Sequence, residues 1–84
     1  MIRKFIEDNN ISFEEGGRNS AITVLIGYTL YLEKEKEDLE ITLSKEISKD
    51  GFLLDEIDKL WGYCKVRNYG NFWKTEEAKS LYKF

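Results

Sequence analysis

The most constraining feature of the chain is one apolar stripe. Leu53, Leu54, Ile57, Leu60, Trp61 and Cys64 recur at three- and four-residue steps, with Asp55, Glu56, Asp58 and Lys59 between them. That spacing puts the apolar side chains on one face of a helix over 53–66. Acids in its first turn, and Lys65 and Arg67 at its end, complement the helix dipole. Such a face needs partners to bury it, and a chain of 84 residues has room for one modest core.

Other segments offer those partners. Ile2, Phe5 and Ile6 fall at helical spacing before Asn9-Asn10, which reads as a short helix over 2–9. Ile11-Ser12-Phe13 reads as an extended link into a turn at Glu14-Glu15-Gly16-Gly17. Near the other end, Asn68-Tyr69-Gly70-Asn71 is a break, and Thr75 caps a last short helix, Glu76 to Lys83. The stretch from Asn19 to Glu33 fits two patterns. Ile22, Val24, Ile26, Tyr28, Leu30 and Leu32 alternate as in a strand, whereas Ile22, Leu25, Ile26, Thr29 and Leu32 form a helical stripe with Asn19 as its cap. Leu39, Ile41 and Leu43 pose the same choice, so a hairpin pairing 21–32 with 38–43 stands beside the helical reading.

Several function classes are excluded by residue type. Without histidine, zinc–histidine sites and histidine acid–base chemistry are impossible. The single cysteine, Cys64, cannot form an internal disulfide, which fits a reducing cytoplasm. No apolar run approaches the roughly 20 residues of a membrane span. The alternating charges of Glu33–Glu40 lack calcium-loop spacing. No motif arranges a nucleophile, so a non-catalytic binding module without metal or cofactor is expected.

Charge and aromatic rings are unevenly spread. Residues 33–58 hold ten carboxylates against four lysines, while residues 59–84 hold six cations against two carboxylates. Seven of the twelve aromatic residues follow position 60. Trp61 and Phe52 read as core. Tyr63, Tyr69, Phe72 and Trp73 surround a glycine-bearing loop beside Lys65, Arg67 and Lys74, where rings and cations together suit single-stranded nucleic acid. The same residue types also suit a protein interface. Arg18-Asn19 after Gly16-Gly17 reads first as a turn and a cap, and second as a phosphate contact at a helix start.

The segment Glu15-Gly16-Gly17-Arg18-Asn19-Ser20-Ala21-Ile22 resembles the opening motif of the primase C-terminal helical domain, found in replication proteins of phages, plasmids and mobile elements. Leu39 to Ile47 and Leu53 to Leu60 resemble that family's second and third helices, so the likeness spans about 14–67 and leaves 68–84 as a basic aromatic extension. It implies an all-α fold, a small bundle of four to five short helices, and tips 19–33 toward helix. It also implies assistance in template handling. Together with the basic aromatic end, this gives the leading reading: a non-catalytic replication accessory that binds single-stranded DNA through Arg18, Asn19, Lys65, Arg67, Tyr69, Trp73 and Lys74 while a primase, polymerase or helicase partner does the chemistry. The alternative is a small phage-type inhibitor of the anti-CRISPR kind, presenting residues 33–58 as a DNA-like acidic surface, with the α+β hairpin fold.

Overall fold

The computed structural model describes residues 1–14 and 16–84; Glu15, which belongs to both the glycine turn and the family-like motif, lies outside the described residues. The chain forms α1 (Ile2–Asp8), α2 (Arg18–Tyr31), α3 (Lys36–Thr42), α4 (Ser44–Lys49), α5 (Phe52–Val66), a 3₁₀ segment (Tyr69–Lys74) and α6 (Glu76–Leu81). The fold is a small all-α bundle. The hairpin alternative is corrected, because 21–31 lies inside α2 and 38–42 inside α3. The bundle is also more finely divided than four or five helices, since α3 and α4 abut at Leu43 and the chain turns at Asn68.

α2 is the central element. Ala21, Ile22, Leu25, Ile26, Gly27, Tyr28 and Thr29 are all buried, so neighbours cover it on several sides. The Thr29 hydroxyl donates to the Leu25 carbonyl at 2.6 Å, which satisfies that buried polar side chain. Asn19 does not cap this helix. Gly17 holds the cap position, and the Asn19 amide donates instead to Glu56 of α5 at 3.2 Å.

α5 packs its stripe on α2 through Leu53, Ile57 and Cys64. The stripe is narrower than its spacing predicts. Leu60 and Trp61 are only half-buried, Leu54 is exposed, and Phe52 is 68% exposed, which corrects the placement of Trp61 and Phe52 in the core. α3 packs on both long helices and α4 packs on α5, with Leu39 of α3 and Leu43 at their junction buried in the core. Asn19 meets Glu56 near the start of α5, and Tyr31 and Lys65 line one cavity at the other end, so α2 and α5 run side by side in the same sense.

The last residues complete the core. Trp73 and Ala78 are buried with the α1 and α2 side chains. Thr75 caps α6 as expected, its hydroxyl accepting from the Ala78 amide at 3.2 Å. The Asn9 side chain bonds both ways to the Lys83 backbone, at 2.9 and 2.7 Å. This clasp seats Phe84 against Tyr28 and Trp73, with ring centroids 5.7 and 5.3 Å apart.

Candidate nucleic-acid interface

The α5 helix ends at Val66, and Asn68 takes a left-handed conformation (φ 56°, ψ 44°) that reverses the chain. Asparagine tolerates that region better than most residues with a Cβ. The 3₁₀ segment then folds back over α2. The approach is close because two glycines face it. A Cβ on Gly70 would lie 3.1 Å from the Tyr31 amide nitrogen, and one on Gly27 would lie 2.9 Å from Trp73 Nε1. Glycine at both places lets the two backbones meet and draws the Trp73 indole inward.

This turn separates two cavities, and Asn68 lines both. One is an apolar groove of about 330 Å³ between Val24 and Gly27 of α2 and the rings of Tyr69, Phe72 and Tyr82, with Trp73 beneath. The other is a polar groove of about 410 Å³ between Leu30 and Tyr31 on one side and Lys65, Asn71 and Lys74 on the other. Glu33 also lines it. Among the described residues, the ion pairs engage Arg3, Lys4, Arg18, Lys36 and Lys79, and neither Lys65 nor Lys74 takes part.

Of the residues expected to bind nucleic acid, the structure brings Lys65, Arg67, Tyr69 and Lys74 to one end of the bundle. Arg67 lies 3.5 Å over the Tyr63 ring and donates to the Tyr63 carbonyl, a cation–π arrangement that fixes its guanidinium at the surface. Tyr63 in turn meets Tyr69 edge to face at 6.0 Å. Trp73 is present but not as an exposed stacking ring. It is 2% exposed, and that expectation is corrected: Phe5, Tyr28, Tyr82 and Phe84 enclose it, with centroids 4.9 to 5.4 Å away.

Arg18 and Asn19 are not part of this end. They stand at the start of α2, about 20 Å of helix away from Tyr31 at 1.5 Å per residue. The Arg18 guanidinium is ion-paired with Asp50, so a phosphate there would have to displace a carboxylate.

Thr23, Val24, Gly27 and Tyr82 line the apolar groove without having been singled out as site residues. Only Gly27 carried a local signal: a glycine inside an apolar helical stretch marks a close approach. Cys64 is buried, and burial raises its thiol pKa, so it remains a protonated packing group. Among the described residues, no cluster of acidic or cysteine side chains is placed to hold a metal ion. No helix among the described residues is long and apolar enough to cross a membrane. Comparison with protein-family models, curated proteins and solved structures finds no match for the chain.

Proposed function

We propose that this protein is a non-catalytic single-stranded-DNA-binding accessory module of mobile-element replication, working in the cytoplasm beside a primase, polymerase or helicase partner. The observation that carries the reading is the juxtaposition at Asn68: a groove flanked by Lys65 and Lys74, neither ion-paired among the described residues, adjoins a groove walled by aromatic rings. Single strands are held by that combination, charge tracking the phosphates and rings taking the bases. The replication context rests on the Gly-x-Arg-Asn resemblance at Gly16–Asn19.

The inhibitor alternative finds less support. Of the carboxylates in 33–58, Glu46, Asp50 and Asp58 are already paired to Arg3, Arg18 and Lys36, which weakens a continuous DNA-like surface.

Fluorescence anisotropy with single-stranded and duplex oligonucleotides over a range of salt tests the proposal. Single strands should bind more tightly, with affinity falling as salt rises. Removing Lys65 and Lys74 together should flatten the salt slope by roughly 1.4, at about 0.7 per lost phosphate contact. Equal or tighter duplex binding, or no binding at low salt, would sink it.

A further inference from the structure

We infer that the apolar groove beside Asn68 seats one unstacked nucleobase, whose adjoining phosphate lies between Lys65 and Lys74. The cavity's size, chemistry and neighbours all point the same way. At about 330 Å³ it stands at the small end of ligand cavities, suited to a single ring system. Its walls are the rings of Tyr69, Phe72 and Tyr82, which offer π-faces, and Val24 closes the α2 side.

At Gly27 the Trp73 indole edge and the Tyr69 backbone close against the bare α2 backbone, so the floor is already filled by protein atoms. A nucleobase brings a flat π-face to rings such as Tyr69, Phe72 and Tyr82, whereas an aliphatic side chain brings none. The charge of the adjoining groove selects further. Lys65 and Lys74, two cations against the one carboxylate of Glu33 in that groove, suit the phosphate that any base in a strand brings with it.

Because the seat rests on the single-strand function proposed for this end of the molecule, its test must separate the two. Anisotropy with a short oligothymidylate and with an abasic strand of equal phosphate count does so, since both carry the same charge. The wild-type protein should prefer the base-bearing strand by about tenfold. Val24→Phe, which fills the groove from α2, and Phe72→Ala, which removes a wall, should each abolish that preference while keeping the salt slope. Phe72 is 37% exposed, so its truncation leaves the core intact if the larger residue at 24 proves disruptive; thermal melts verify folding of each variant.

A tenfold preference that survives in both folded variants overturns the base seat. Salt-dependent binding with no preference in the wild-type protein overturns the seat and leaves the single-strand function standing. Absence of binding to either strand removes both. Loss of a co-purifying protein in Val24→Phe, with strand binding unchanged, would make the groove a protein site and also overturn the base seat.

Discussion

Two sides of this bundle are held together by different physics. On one side, Phe5, Tyr28, Trp73, Tyr82 and Phe84 form a continuous cluster, from the stacked Phe5–Tyr28 pair at 4.0 Å to the Phe5–Phe84 contact at 6.3 Å. On the other, α3, α4 and the start of α5 bury Leu39, Leu43, Leu53 and Ile57 and are tied at the rim by Arg3–Glu46, Arg18–Asp50 and Lys36–Asp58. Area removed from water is indifferent to pH and modest salt, whereas part-exposed ion pairs are sensitive to both. Trp73 and Tyr82 of the aromatic side line the apolar groove, whereas none of the three paired carboxylates lines either groove.

The two tryptophans give the sharpest way to break this comparison. Trp73 is 2% exposed amid rings from α1, α2 and the C-terminal tail, so Trp73→Ala should cost about 3–5 kcal/mol and leave so small a domain largely unfolded. Trp61 is half-buried on the outer edge of the α5 stripe, and Trp61→Ala should cost about 1–2 kcal/mol. Urea melts followed by far-ultraviolet circular dichroism rank them. Equal losses, or the reverse order, would mean that the aromatic cluster does not dominate.

That ranking inverts what the sequence alone suggests, and the reason is physical. Trp61 sits on a helical stripe, and periodicity reports which face turns inward but not how wide the covered strip is. Trp73 sits beyond a left-handed turn, in local chemistry that normally marks surface. It is buried because Gly27, remote in sequence, leaves space for its indole edge. The α5 helix was legible because charged residues mark its outer face. α2 was ambiguous because its buried run leaves little polar face to mark a period, and its β-branched residues suit strands equally. For the candidate site, Lys65, Arg67, Tyr69 and Lys74 are joined by one local turn and were legible together. Arg18 was not, since its pairing with Asp50 depends on how the start of α2 meets the α4–α5 link.

Two helical glycines sharpen the comparison with changes of opposite sign. Alanine ordinarily improves a helix interior by about 1 kcal/mol over glycine. Gly62 on α5 has nothing within 4 Å of its would-be Cβ, so Gly62→Ala should stabilise by about 0.5–1 kcal/mol. At Gly27 the new methyl would meet Trp73 Nε1 at 2.9 Å, and the indole is enclosed by rings. Gly27→Ala should therefore destabilise by about 1–3 kcal/mol despite its better propensity. A stabilised Gly27→Ala, read from the same urea midpoints, would show that the aromatic side is more compliant than its packing implies.

The smallest expected effect belongs to the acidic side and is read from pH. Arg3 of α1 donates two bonds to Glu46 of α4, at 3.1 and 3.0 Å, and also reaches the Thr42 carbonyl. Hydrogen bonding from Arg3 lowers the Glu46 pKa below the usual carboxylate value, outweighing partial desolvation. A carboxylate whose folded pKa is depressed contributes stability above its unfolded value, near about 4.3, and loses it as pH falls through the folded value. The guanidinium stays charged throughout, so Glu46 alone sets the window. Arg3 is 39% exposed, and water screens the pair, so the contribution should stay under about 1 kcal/mol. Comparing wild-type with Glu46→Gln at pH 7 and again near pH 3, the stability gap should be present at the first and shrink at the second. A gap that is constant across that range would assign the Glu46 contribution to packing rather than charge, and would erase the electrostatic half of the contrast.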